Sequence, residues 1–364
     1  MLGERLRLAR KRAGLSLRDL AANIDHRASA QAISKYENGV MLPSASVLVA
    51  LGKALSVSLD FLMSNQVIAL AGVEFRKKSG TTAGDRAKVE AEVIDQVERY
   101  LAIEAVLNVE SADHAFSARQ RVEVQRIEDA ETQAGVLRTE WKLGLDPIAS
   151  LTALLEERGI KVIQAILPES VAGLTCDVRR PEPLPSVPVV VVNVQSNIER
   201  LRFTLAHELA HRIIGGNPNI DDEKAAHRFA SAFLMPREHL WAETGGVRHA
   251  LAYSEIVRLK HLYGVSATAL LMRLKDIGVL TEENISYAFR TYAQQWRRAE
   301  PQPLDKGGPF YILERPERFE NLVYRALAEE VISLPKAALL LKKPVSEVEF
   351  AIKGPPFDNA HSHQ

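Results

Sequence analysis

The sequence predicts a mainly α protein with an α+β domain at its centre and a helical C-terminal region. Three observations support this fold class. Residues 1 to about 65 contain short helical patterns separated by turn residues. The stretch Val187–Val194 is nearly continuous in valine, which is typical of a strand buried on both faces. Elsewhere apolar residues recur every three to four positions, the period of a helix that packs along one side.

Length and charge limit the classes of function. The chain has 364 residues, which is enough for two or three domains with separate cores. Lys and Arg total 46, and Asp and Glu also total 46, so there is no overall basic charge that would indicate nucleic-acid binding. A contact with DNA must therefore come from a local patch. The N-terminal stretch offers one, formed by Arg5, Arg7, Arg10, Lys11, Arg12 and Arg18.

Cysteine content and hydropathy indicate the compartment. A single cysteine, Cys176, excludes an intramolecular disulfide and a cysteine-rich zinc site. No apolar run reaches the roughly 18 to 20 residues that span a bilayer, and the N-terminus lacks the apolar core of a secretion signal. We expect a cytoplasmic protein without membrane contacts.

Five short helices are predicted in the N-terminal region. Their ends are marked by capping and turn residues, namely Gly14, Ser16, Ser29 or Ala30, Asn38-Gly39, Pro43-Ser44 and Ser58. The third helix has polar residues on its outer side. Short helices, tight turns and a polar third helix are typical of a helix-turn-helix module.

Several segments of this region match a known pattern. They are Leu6-Arg7, Gly14-Leu15-Ser16, Leu20-Ala21, Ile33-Ser34-Lys35-Tyr36-Glu37-Asn38-Gly39, Pro43 and Leu59-Asp60-Phe61-Leu62. The pattern resembles the phage-repressor-like (XRE) DNA-binding domain. The chain departs from it at Leu17, where the family usually has a glutamine that fixes the second helix on the DNA backbone. The turn Asp25–Ser29 also looks about two residues longer than usual.

The resemblance implies binding to a double-stranded DNA operator. Gln31 and Lys35 would face the major groove, with Ser29 and Arg27 near phosphates. Since paired half-sites favour two-fold symmetry, we expect a homodimer. The alternative is a helical module that serves dimerisation or partner binding.

The rest of the chain alternates between helical and strand patterns. A long helix is predicted at Asp85–Leu107 with one apolar stripe, which favours packing or self-association. Helices at 118–142 and 147–157 precede a strand at Lys161–Ile163 and then the valine-rich strand. Further helices are predicted around 201–214, through 229–234, around 253–263, 266–276, 316–330 and 334–342, and from Ser346.

The helix after the valine-rich strand contains His207, Glu208 and His211, which form an H-E-x-x-H arrangement. Two imidazoles four positions apart lie on one face of a helix and can bind zinc, while the glutamate accepts a proton from the water that zinc activates. Flanking apolar residues keep helical spacing, and Gly215-Gly216 ends the helix. The alternative is a surface helix with two unrelated histidines.

Two imidazoles do not complete a catalytic zinc site, which takes three protein ligands and leaves a fourth position for water. The downstream candidates are Asp221, Asp222, Glu223, His227, Glu238 and His239. Glu223 opens a helix whose apolar face would pack on the motif helix, which directs its carboxylate toward the histidines. His227, one turn later on nearly the same face, is the main alternative.

Landmarks from residue 136 to about 290 form a second pattern. They are Leu137-Arg138, Trp141, Gly144-Leu145, Pro147-Ile148, Leu154-Leu155-Glu156, Gly159-Ile160-Lys161-Val162, Arg200, Arg202 through His211, Phe229-Ala230 and Leu234-Met235-Pro236. They resemble the ImmA/IrrE family of bacterial metallopeptidases. The resemblance implies a zincin-like domain with a small sheet, bound Zn²⁺, and a glutamate ligand shortly before Phe-Ala, in the stretch that contains Glu223. The family commonly shows Glu-x-Glu-Ala-Asn there, whereas this chain has Ala225 and His227 at two of those positions.

The two resemblances imply a regulator. The first hypothesis is a DNA-binding transcriptional regulator whose zinc metalloendopeptidase domain cleaves a specific protein partner, such as a repressor, with Glu208 as the catalytic base. Candidate oxyanion donors are His227, His239, His249, Tyr253 and the arginines upstream of the motif. The second hypothesis is a non-proteolytic repressor or antitoxin of a toxin–antitoxin or mobile-element system, which uses the peptidase-like fold to bind a partner.

Four segments are predicted. Residues 1–66 form the helix-turn-helix domain, 67–117 a helical linker, 118–292 the metallopeptidase-like domain, and 293–364 a helical region that could dock a partner.

Overall fold

The computed structural model describes residues 2–63, 67, 69–71, 83–109, 119–168, 171–182, 184–215, 217–296, 298–304 and 314–354. In these ranges helices predominate, and four short strands form one sheet. The predicted fold class is confirmed. The predicted boundaries at 66 and at 117/118 involve residues outside the described ranges, so the division into four segments stays a prediction.

The N-terminal region contains the five predicted helices. They are α1 (Leu2–Arg12), α2 (Leu17–Asn23), α3 (Ala30–Glu37), α4 (Ala45–Leu55) and α5 (Leu59–Met63). Ser16, Ser29 and Ser44 cap α2, α3 and α4, because each hydroxyl accepts a hydrogen bond from the backbone N–H three residues later. Their core is formed by fully buried Leu6, Leu20, Ile33, Leu51 and Leu62.

The turn between α2 and α3 has an unusual backbone. Asp25 and His26 are consecutive residues in the left-handed region, with φ of 54° and 53°. Asp and His tolerate this region better than most residues with a Cβ. The long turn predicted from the sequence is therefore closed by two left-handed residues.

A four-stranded sheet lies at the centre of the chain. Its strands are β1 (Ala69–Ala71), β2 (Lys161–Ala165), β3 (Gly173–Arg179) and β4 (Val187–Asn193), in the order β1-β3-β4-β2. The pairs β1–β3 and β3–β4 are antiparallel, and β2–β4 is parallel. The strands β1 and β3 were not predicted from the sequence.

The sheet is covered on both faces. Val190 and Val192 of β4 belong to the core of the central domain, whereas Val189 and Val191 belong to a second core. That second core contains helix α6 (Ala83–Leu107) and the interior of the N-terminal helices. All seven residues of β4 are buried, as its continuous valine run predicts.

Helix α6 connects three parts of the molecule. It packs against α1, against β2 and against α15 (Arg318–Ala328) of the C-terminal region. The apolar stripe predicted for it is buried in these contacts, which confirms a packing role. Two buried ion pairs fix α6 in place, Arg5 with Glu98 and Lys161 with Glu104.

The remaining helices surround the first face of the sheet or follow it. They are α7 (Asp129–Glu140), α8 (Leu151–Glu157), α9 (Ile198–Ile213), α10 (Asp222–Leu234), α11 (Arg237–Thr244), α12 (Tyr253–Tyr263), α13 (Ala267–Asp276), α14 (Glu282–Arg290), α16 (Leu334–Leu341) and α17 (Val345–Lys353). The predicted helix at 118–142 is wrong in its first half, because Val122 forms a bridge with Ile214 and the helix begins only at Asp129. None of the described helices has both the length and the hydrophobicity to cross a bilayer.

Candidate functional site

The H-E-x-x-H segment lies in α9, one of the most deeply buried helices of the central domain. Asn197 caps it by accepting a hydrogen bond from the N–H of Arg200. Leu201, Leu205 and Leu209 form the side that packs into the core. The two histidines lie four residues apart, so both rings project from one side of the helix.

Helix α10 packs against α9 more extensively than any other described helix does. Asp221 caps it by accepting hydrogen bonds from the backbone N–H groups of Glu223 and Lys224, at 3.1 and 3.2 Å. Phe229 and Phe233, one turn apart on α10, are fully buried in the shared core. This cap and this core hold the first turn of α10 opposite the histidines.

The structure brings the three predicted ligands together. The possible ligand atoms of His207, His211 and Glu223 all lie within 4.8 Å of one another, the single such group found among the described residues. His207 Nε2 is 3.1 Å from His211 Nε2 and 3.3 Å from Glu223 Oε2. His211 is buried, whereas the Glu223 side chain is 48% exposed, so the group lies at the base of an open surface.

These distances fit a zinc ion. Four ligands at the usual 2.0–2.1 Å from zinc are separated by about 3.3 Å along each edge of the tetrahedron. Both measured separations are close to that value. Two imidazoles and a carboxylate are also the donor set of many catalytic zinc sites, which leave one position open.

The alternative ligand, His227, lies beside this group. Its ring centroid is 4.6 Å from that of His207 and 5.5 Å from that of Phe203, and the residue is exposed. It forms a ring contact with His207, whereas Glu223 approaches His207 with an oxygen atom. Ala225, where the family commonly has glutamate, is 1% exposed and part of the core.

Glu208 lies against the start of β3. The residue is 7% exposed. A Cβ added to Gly173 would be 3.6 Å from Glu208 Cγ, 2.5 Å from Thr204 Cγ2 and 2.8 Å from the carbonyl oxygen of Val191. Only glycine permits this close approach of β3 to the motif helix. The start of β3 therefore packs directly on the side of α9 that carries Thr204 and Glu208.

Two fully buried ion pairs fix the first half of α9. Arg202 pairs with Glu314, and Glu199 pairs with Lys260, each with 0% side-chain exposure. Burial lowers the pKa of Arg202 below its ordinary value, and the Glu314 carboxylate opposes that shift. Lys260 also donates to the carbonyl oxygens of Pro301 and Gln302. Residues 301, 302 and 314 are thus attached to the motif helix, the first two through Lys260.

The candidate oxyanion donors are dispersed. His239 Nδ1 is 2.7 Å from the hydroxyl of buried Tyr263. Tyr253 packs near Trp296 in a tilted arrangement, with ring centroids 6.3 Å apart. Of the named histidine and tyrosine candidates, His227 is the one whose contact with the histidine pair the structure records.

The four residues predicted to contact DNA are all exposed. Gln31 and Lys35 lie on the outer side of α3, and Arg27 precedes that helix. The Ser29 hydroxyl caps α3, accepting from the Ala32 N–H at 3.1 Å. These positions agree with a recognition helix that enters the major groove of DNA and a preceding turn that contacts the DNA backbone.

The basic patch predicted in the N-terminal stretch is smaller than its sequence indicates. Arg5 is buried against Glu98, and the guanidinium of Arg10 pairs with Glu37 at 2.6 Å. Arg7 also lies 3.5 Å from Glu37. Arg5 and Arg10 thus serve the fold and are not free to neutralise phosphates, whereas the Arg7 side chain remains 43% exposed.

Several residues that shape the site were not predicted as such. Gly173 begins a strand that sequence reading missed, although its alternation of buried and partly exposed residues is the pattern of a strand. Glu314 lies 112 positions from Arg202, so no local pattern relates the two. Arg212, which binds Asp177 of β3 at 2.6 Å, also holds α9 to the sheet.

Comparison with known proteins gives two matches. Residues 155–275 match the family model Peptidase_M78, described as an IrrE N-terminal-like domain, and residues 6–62 match HTH_3, described as helix-turn-helix. Searches of curated proteins and of solved structures gave no match. The first segment contains the histidine pair and Glu223, and the second contains α1 to most of α5. Residues 6–62 are therefore similar to XRE-type helix-turn-helix domains, and residues 155–275 are similar to the IrrE/ImmA-like domain of the M78 peptidase type.

Proposed function

We propose that the protein is a DNA-binding regulator and a zinc-dependent endopeptidase that cleaves a specific protein partner, such as a repressor. The observation that carries this proposal is the convergence of His207, His211 and Glu223 beside a buried Glu208. A partner-binding repressor would not need a buried carboxylate next to three potential ligands. That arrangement is what general base catalysis on a metal-activated water requires.

Different side chains of the site would have different roles in the reaction. His207, His211 and Glu223 would hold the ion. When bound, zinc supplies Lewis acidity that polarises the scissile carbonyl and makes water a nucleophile at neutral pH. Glu208, which packs near Gly173, would accept the proton of that water and return it to the leaving nitrogen. The exposed His227 ring, next to His207, is the best-placed donor for the developing negative charge.

Metal removal tests this function directly. We expect the purified full-length chain to contain about one zinc per chain and to cleave a protein encoded by a neighbouring gene. A chelator should stop the cleavage, and added zinc should restore it. The measurements are elemental analysis and mass spectrometry of the products. A chain that binds zinc and DNA but leaves every neighbouring protein intact would support the non-proteolytic repressor or antitoxin instead.

The DNA-binding half has its own test. Replacing both Gln31 and Lys35 by Ala should weaken binding to duplexes from the region upstream of the gene by about 30-fold or more, because two base contacts of about 1–3 kcal/mol each are lost. Binding is measured by fluorescence anisotropy at fixed salt. Lys53→Ala, an exposed substitution in α4, is the matched control. Equal affinities of the double variant and the control would contradict a DNA-reading role for α3.

A further inference from the structure

A cleft of about 950 Å³ opens beside the histidine pair. Its walls come from the start of α9, from α10, from α13 and from the segment around residues 296–300. His227 and Phe203 line the end nearest the metal ligands, since the His227 ring lies 4.6 Å from that of His207. The cleft therefore continues the candidate site along α9.

The lining is apolar in one part and polar in another. Phe203, Ala269, Met272 and Trp296 supply apolar surface. The hydroxyl oxygen of Thr268 is buried and has no hydrogen-bond partner among the described residues. A buried hydroxyl of this kind gains a bond when a polar group enters the cleft.

Some charged residues that line the cleft form ion pairs with neighbours, and others do not. Most are paired with neighbours: Arg228 with Glu131 and Asp276, Glu199 and Glu300 with Lys260, Lys275 with Glu282, and Lys224 with Asp221. Two cationic residues of the lining, Arg200 and Arg298, are exposed and have no ion pair within the described ranges. Only one acidic residue of the lining, Glu128, is exposed and without an ion pair in the same ranges. The cleft thus combines aromatic and aliphatic walls with two available cations.

We propose that this cleft binds the side chains of the substrate next to the scissile bond, and that it selects an apolar side chain followed by a nearby carboxylate. This inference rests on the proposed function, because it treats the three-ligand group as the reacting centre. Burial of an aromatic or long aliphatic side chain against Phe203, Met272 and Trp296 supplies affinity. Arg200 and Arg298 supply the preference for an acidic neighbour.

Three zinc-binding probes test the inference on the zinc-loaded full-length chain. They are acetohydroxamate, a hydroxamate with a benzyl side chain, and the benzyl compound with an added carboxylate. By calorimetry we expect the benzyl group to tighten binding about 10- to 100-fold, and the carboxylate to add about two- to five-fold at low salt. Replacing both Arg200 and Arg298 by Ala should remove only the gain from the carboxylate, whereas Met272→Glu should reduce the gain from both groups.

Matched substitutions show whether these effects are local. Met41→Glu changes a methionine of similar exposure in the N-terminal region, and Arg290→Ala removes an exposed arginine outside the cleft lining. Neither should alter the affinities. Equal affinity for all three probes, or gains that persist in Met272→Glu, would overturn the inference and leave the zinc site intact. Failure of acetohydroxamate itself to bind would count against the proposed function.

Discussion

A chain with Glu208→Gln is expected to bind zinc normally and to lose chelator-sensitive cleavage by about 10²- to 10⁴-fold, the usual contribution of a general base. Gln has nearly the same shape as Glu, so the packing of this side chain near Gly173 is preserved. An amide cannot accept the proton of the attacking water. The loss should therefore appear in the rate of cleavage while the metal content and the unfolding temperature stay the same.

The control for this substitution is Glu238→Gln. Glu238 is exposed on α11, and no ion pair of its side chain is recorded among the described residues. Its replacement should leave cleavage unchanged. Undiminished proteolysis by the Glu208→Gln chain would exclude Glu208 as the base. Loss of zinc in that chain would instead indicate that Glu208 stabilises the ligands.

Glu314→Ala is expected to reduce the free energy of unfolding of the central domain by about 3–5 kcal/mol, because it leaves the charge of Arg202 buried without compensation. The same carboxylate accepts hydrogen bonds from the N–H groups of Leu151 and Thr152, both at 2.9 Å. It also accepts from the Thr152 hydroxyl at 2.7 Å. Removal of Glu314 therefore leaves several buried donors without an acceptor.

Urea denaturation followed by near-ultraviolet circular dichroism measures this loss. Glu317→Ala is the matched control, since Glu317 is exposed three positions away and should change the stability by no more than about 0.5 kcal/mol. Equal stabilities of the two variants would mean that Arg202 is solvated in solution. Because Arg202 lies in α9, we also expect the Glu314 variant to bind zinc more weakly.

Local patterns explain what could be predicted from the sequence. Apolar spacing and capping residues located the starts of α2 to α5 and both ends of α12 and α13 almost to the residue, because these signals lie within one helix. The first helix was expected to begin at Leu6, whereas α1 begins at Leu2. The valine run located β4. The pair His207 and His211 could be recognised because its geometry depends only on the helical repeat.

Other features depend on contacts between distant segments. The segment Ala69–Ala71 is a strand because it pairs with β3. The sequence of these three residues alone does not predict that pairing. The choice between Glu223 and His227 depended on how α10 packs on α9, and both residues lie within reach of the histidines along the sequence. Likewise, the basic residues of α1 looked available until Glu98 and Glu37 were placed beside them.

The C-terminal region packs on the rest of the described chain, and its role in docking a partner stays a prediction. A possible docking surface for another protein was the expectation, and the described helices there pack on α6 around Tyr100 and Ile103. Glu314, just before these helices, enters the interior of the central domain.

The ion pair between Arg202 and Glu314 limits where the gene can be cut or recombined without separating two residues that depend on each other. The recognisable family segment ends at residue 275, yet a guanidinium inside it is neutralised by a carboxylate encoded well downstream. A recombination event at the end of that segment would separate a cation from its counter-ion. The unit that must fold together is therefore longer than the matched segment, and truncations intended to isolate the peptidase-like domain should retain residue 314.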